Sequence, residues 1–185
     1  MTHPNHKIQG DRILSVHWGF AALLTLLLSL TINAQQTSFQ DTLLNHMAGK
    51  WTLQGTIDGK ETTHDIEASW VLAHQYFQLH EISHEKNANG EPEYEAIVYI
   101  GWDQPSGRYV CLWLDVTSGG GLSSTVYGYA EKSEDKLPFL FKGGDGSIFH
   151  TTFTYDRAVG FWTWNMDGEE NGKLQPFARV KLTRK

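Results

Sequence analysis

The chain has 185 residues, room for one domain and a short appendage but not for two ordinary domains. Hydrophobic residues make up 40% and aromatics 12%, with 18 glycines against 5 prolines; that mixture suits strands and tight turns rather than disorder, which needs low hydrophobicity and high charge. A net charge of −6 without a basic stripe excludes an ordinary nucleic-acid binder, whose affinity comes from neutralising phosphates.

The first 34 residues read as an address. Lys7 and Arg12 precede an apolar run from Gly19 to Leu30, and Ala34 stands just before the polar Gln35-Gln36-Thr37-Ser38. A basic start, about a dozen apolar residues and a small residue at the cut describe a secretory signal. The expectation is cleavage after Ala34 and a periplasmic or secreted protein. The rival is a retained membrane anchor from Ile13 to Ile32, about 20 residues and long enough to span a bilayer. That anchor would carry Ser15 and His17 into hydrocarbon, which costs free energy. Only in that case is the membrane a partner. No cysteine lies near the cut, which excludes a lipoprotein.

Residues 35–48 form a linker and a short helical turn. Asp41 can cap that turn, and Leu43, Leu44 and Met47 recur on one helical face. After Gly49 the periodicity changes to two. Trp51, Leu53, Gly55 and Ile57 alternate with Thr52, Gln54, Thr56 and Asp58, and Asp58-Gly59 supplies a hairpin signal. Ile66, Ala68, Trp70 and Leu72 share a face of a second strand, and a third runs over about 74–85. Turns at 87–90, 103–107, 118–121, 132–136, 143–146, 156–157 and 167–173 punctuate the rest, with the last strand over 177–184. Evenly spaced hairpins without helical crossovers predict an all-β, up-and-down antiparallel barrel of about ten strands over residues 49–185, closed so that no strand edge stays open.

The run His46-Met47-Ala48-Gly49-Lys50-Trp51, with Gly55, the turn Gly101-Trp102-Asp103 and an arginine in the last strand, resembles an uncharacterised bacterial family of lipocalin-like (calycin-type) exported barrels. The likeness covers about residues 41–185. It implies that Gly49 and Trp51 mark the closed end of the barrel, with Arg179 or Arg184 stacked on the tryptophan as a structural contact. More distantly the chain resembles the haem-binding nitrobindins in strand number and opening tryptophan. Those carry a proline in a longer glycine-rich opening and a haem-ligating histidine near the C-terminus. Here residues 49–60 hold no proline and no histidine follows His150, so no cofactor is expected.

Chemistry-bearing signals are sparse. Cys111 is the only cysteine, so no internal disulfide can form and no cysteine-based metal site exists. His74, Tyr76, Gln78, His80, Ile82 and His84 share one face of the third strand, but His80 and His84 stand about 13 Å apart and cannot hold one ion. A site would need His64 or His150 from neighbouring strands, and no metal is expected. Nucleophile-elbow, zinc-protease and phosphate-loop motifs are absent, and the glycine runs read as hairpin turns. Aromatic and polar residues on candidate inner faces define a ligand-binding set: Trp70, Tyr76, His80, Tyr99, Trp113, Asp115, Tyr127, His150 and Trp164. Ile97 and Tyr99 against Val98 and Ile100, and Phe161 against Trp162 and Trp164, make strands apolar on both faces, which suggests a homodimer. Three functions follow. The first is a barrel that binds a small apolar or amphipathic molecule in its lumen. The second is a structural or interaction domain with a filled barrel. The third is a hydrolase or isomerase that uses Asp115 with His80 or His150.

Overall fold

The computed structural model describes residues 39–117 and 122–185. The expected signal and its cleavage site lie outside the described residues, as do the start of the helical turn and the turn at 118–121. Among the described residues no helix is long and apolar enough to cross a membrane.

Among the described residues one short α-helix, α1 (Thr42–Met47), precedes the strands β1 (Gly49–Ile57), β2 (Lys60–Val71), β3 (Tyr76–Ser83), β4 (Glu95–Asp103), β5 (Arg108–Asp115), β6 (Tyr127–Ala130), β7 (Lys136–Lys142), β8 (Ile148–Asp156), β9 (Phe161–Glu170) and β10 (Lys173–Arg184). Each strand pairs antiparallel with the next, and β1 closes on β10. The fold is therefore a closed ten-strand up-and-down barrel with one short helix, as the turn spacing predicts. The β1–β2 hairpin turns through Asp58 and Gly59, both at positive φ (49° and 73°), the conformation that the Asp-Gly signal favours. Gly55 (φ +147°) lies so close to β10 that a Cβ there would sit 2.3 Å from the Arg179 carbonyl oxygen, which is why the alternation on β1 passes through a glycine.

Period two decides what fills the barrel. Trp51 and Leu53 of β1, Ile66 and Ala68 of β2, Phe77 and Leu79 of β3, Val98 and Ile100 of β4, and Tyr109 and Cys111 of β5 are all buried. Phe139, Phe153, Trp162 and Trp164 complete a packed half at the end where β1 begins. The helix seals that end. Asp41 accepts from the Leu44 N–H at 2.9 Å, as its capping role requires, and from the Tyr109 hydroxyl at 2.5 Å. Leu43, Leu44 and Met47 are buried, and Trp51 Nε1 donates to the Met47 carbonyl at 2.7 Å.

Two expectations need correction. The third strand is shorter than 74–85, because Leu72, Ala73 and His74 take left-handed backbone (φ 50°, 54° and 63°) in a four-residue turn, and Leu72 is exposed instead of facing inward. The arginine over Trp51 is Arg184, whose guanidinium carbon lies 4.3 Å from the ring centroid, and not Arg179. In the β1–β10 ladder Trp51 faces Arg184, whereas Arg179 faces Thr56, five residues and about 16 Å along the strand. Strand parity also turns Arg179 away from the lumen; it donates to the Met166 carbonyl at 2.9 Å and pairs with Asp167.

Candidate functional site

The end opposite α1 is hollow. A cavity of about 480 Å³ opens there, within the range of ordinary small-molecule sites. The inner faces change character at one level. On β2, Trp70, Ala68 and Ile66 give way to His64 and Thr62; on β3, Phe77 and Leu79 give way to Glu81 and Ser83; on β5, Tyr109 and Cys111 give way to Trp113 and Asp115. The lumen is thus both packed and open, apolar toward the helix and polar toward the mouth.

The β2–β3 register places His64 opposite Ser83 and Ile66 opposite Glu81, so His64 and Glu81 are diagonal neighbours on the lumen face. His64 Nδ1 meets Glu81 Oε1 at 2.5 Å, with both side chains almost wholly buried. A buried carboxylate requires such a partner, and the contact fixes the orientation of the ring. His64 Nε2 lies 2.8 Å from Thr62 Oγ1, which donates to Glu85 Oε2 at 3.1 Å. Burial acts to raise the Glu85 carboxyl, but hydrogen bonds from its own backbone, the Thr62 hydroxyl and the Thr63 N–H outweigh it and leave the group below its usual value.

A second polar group lies beside the first. The Tyr94 ring stacks on His64 with centroids 5.7 Å apart. Trp113 Nε1 donates to Tyr94 Oη and to Asp115 Oδ2, each at 3.2 Å, and the Tyr94 hydroxyl reaches Asp115 Oδ2 at 3.4 Å. Burial, reinforced by the charges of Glu81 and Asp115, pushes the Tyr94 phenol far above its ordinary value, so it stays a donor. Asp115 is further held by the Thr117 N–H and hydroxyl at 2.8 and 2.7 Å. Ile57, Phe149, Met166 and Phe177 supply apolar wall, with Phe149 and Phe177 edge to face at 5.6 Å. The arrangement can shelter an apolar body while offering oriented carboxylates, a phenol and an imidazole to its polar end; His64, oriented by Glu81, can also accept or release a proton.

Of the residues picked from the sequence, Trp113 and Asp115 line this cavity. Trp164 lies in the packed floor, 5.4 Å from Trp113 between ring centroids. Trp70 belongs to the sealed end, where its Nε1 donates to Asn45 Oδ1 at 2.7 Å. Tyr76, His80, Tyr99, Tyr127 and His150 stand on outward-facing positions, because their neighbours Phe77, Leu79, Val98, Ile100, Gly128 and Thr151 are the buried ones. His80 bonds Glu95 at 2.7 Å and His150 bonds Glu169 at 2.8 Å, both outside the lumen. Asp115 is therefore not paired with either histidine; the histidine–carboxylate pair of the lumen is His64–Glu81. Sequence reasoning missed Glu81, Tyr94 and the role of His64, although the switch from apolar to polar at corresponding ends of β2, β3 and β5 was a signal that could have found two of them.

Among the described residues no group of three or more His, Cys, Asp or Glu side chains is arranged to hold a metal ion. Cys111 is fully buried in the packed half, and burial raises its thiol well above the usual range.

Fold and site together define a class: a closed antiparallel barrel sealed by a helix at one end and opening on a ligand-sized cavity at the other. No protein-family model matches the chain, and no curated protein matches it.

Proposed function

We propose that this protein is an exported lipocalin-like carrier that holds a small amphipathic molecule in the open half of its barrel. The observation that carries the reading is the cavity of about 480 Å³, with Ile57, Phe149, Met166 and Phe177 on its walls and oriented polar groups around His64 and Tyr94. A few placed polar groups among apolar ones are the usual composition of a small-molecule site. The Gly49-x-Trp51 opening with Arg184 over the tryptophan supports the lipocalin-like assignment, and Lys7, Arg12 and the apolar run before Ala34 support export.

Native mass spectrometry of protein taken gently from its source tests the binding reading. A retained guest, or uptake of one N-phenylnaphthylamine per chain, is the expected result. A bare mass together with no uptake overturns it. N-terminal sequencing of the extracytoplasmic form tests export, with Gln35 expected as the first residue.

A second reading, hydrolysis or isomerisation of the guest, rests on the His64–Glu81 pair, in which a carboxylate orients a buried imidazole. Conversion of a recovered guest by wild-type protein, lost in His64→Gln, supports it. A guest recovered unchanged after long incubation rules it out.

A further inference from the structure

We propose that the guest is a cation: an amphipathic amine or quaternary ammonium whose charged head sits against Tyr94, Trp113, Glu81 and Asp115. The inference rests on the binding reading above and adds the sign of the ligand's charge. Asp58, Glu81, Glu85, Glu93 and Asp115 line the cavity or its mouth, with Glu61 on the outer face at the rim, against one lysine, Lys60, and one histidine, His64. A cleft lined by one sign of charge between low-dielectric walls concentrates that field and raises the local concentration of the opposite ion.

Glu81 is held by the buried His64, whereas neutral donors contact Glu85, Glu61 and Asp115. Glu85 takes the Thr62 hydroxyl, Glu61 takes the Thr56 hydroxyl at 3.0 Å, and Asp115 takes the Trp113 indole and Thr117. The lysine and arginine ion pairs of Lys50, Arg157, Arg179 and Lys185 are made with Glu67, Asp135, Asp167 and Asp65, none of which lines the cavity. Neutral donors orient a carboxylate without cancelling its charge, and the acidic residues at the cavity outnumber Lys60 and His64, so its potential is negative. An anionic head, such as that of a fatty acid, would enter against like charge.

Charge alone would not define a site. Two independent features do: the cavity has the volume of a ligand, and the wall beside Glu81 and Asp115 is aromatic. Tyr94 and Trp113 both line it, and an ammonium group gains from an aromatic face when water is excluded. Phe149, Phe177, Met166 and Ile57 then receive the apolar body.

The test compares dodecyltrimethylammonium, dodecanoate and dodecanol, below micelle-forming concentrations, as competitors for N-phenylnaphthylamine bound to the full chain. The ammonium is expected to bind at least tenfold tighter than the carboxylate, with the alcohol between them. The gap should narrow threefold or more in Asp115→Asn with Glu93→Gln, variants that leave the buried His64–Glu81 pair intact, and should also narrow at high salt. Equal displacement by ammonium and carboxylate, with the dye still bound saturably, overturns the charge inference and leaves the binding barrel standing. Failure of the dye and all three competitors to bind overturns the binding reading itself.

Discussion

Arg184 closes the barrel by lying over the Trp51 ring at 4.3 Å while its two terminal nitrogens donate to the carbonyls of His46 and Ala48 at 3.0 and 3.1 Å. One side chain of the last strand thereby satisfies carbonyls at the end of the helix and covers the first tryptophan of the barrel. The guanidinium plane suits this double task, since it stacks and donates at once.

Replacement of Arg184 by alanine should lower the stability by about 1–2 kcal/mol, the combined scale of a cation–π contact and net hydrogen bonds at a partly exposed site. Arg184→Lys should recover less than half of that loss, because an ammonium cannot stack and reach both carbonyls together. Denaturant unfolding with unchanged slope checks both values.

Asp41 ties the helix to the barrel through the Leu44 N–H and the Tyr109 hydroxyl. Asp41→Ala removes the cap and leaves a buried phenol without its acceptor, at a cost of about 2–3 kcal/mol. Tyr109→Phe should cost less. A double-mutant cycle should return a coupling above about 0.5 kcal/mol; simple additivity would show that the two groups act separately.

Buried tyrosines set the alkaline limit. Burial, with the neighbouring carboxylates, raises the phenols of Tyr94 and Tyr109 above the ordinary value of 10.0. Above about pH 10 the unfolded chain releases these protons while the folded chain keeps them, so the unfolded state binds fewer and stability falls as pH rises. Unfolding midpoints should decline from about pH 10 upward, and the decline should be shallower in Tyr94→Phe.

Cys111 should resist thiol reagents in the native protein and react fully in denaturant, because it is buried and its thiol is held protonated. Rapid native labelling would contradict the packed half of the barrel.

Local signals made most of the barrel legible. Asp58-Gly59, the spaced turns and the alternation Trp51, Leu53, Gly55, Ile57 carried the hairpins, and Asp41 with Leu43, Leu44 and Met47 carried the helix. The candidate site was legible only in part, because it depends on which face of each strand turns inward. On β3 the sequence offers two faces, Tyr76-Gln78-His80-Ile82 and Phe77-Leu79-Glu81-Ser83, and the charge of Glu81 gives the latter the character of a solvent side. Register with β2 decides otherwise, and that pairing is not written in the local sequence. The same parity separates Arg184 from Arg179. Tyr94 escaped for the same reason: it is in phase with the buried Ala96, Val98 and Ile100, but Ile97 and Tyr99 make the opposite face apolar too, and the local sequence does not say which face turns inward.

The hollow end is the centre of the account, and filling it is the most direct test. Wild-type protein titrated with N-phenylnaphthylamine should show saturable binding of one dye per chain. Ile57→Trp combined with Met166→Trp, two substitutions on the cavity wall, should abolish that binding while the unfolding free energy stays within about 2 kcal/mol of wild type. Equal saturable binding by the filled variant would place the dye elsewhere and contradict a binding site inside the barrel.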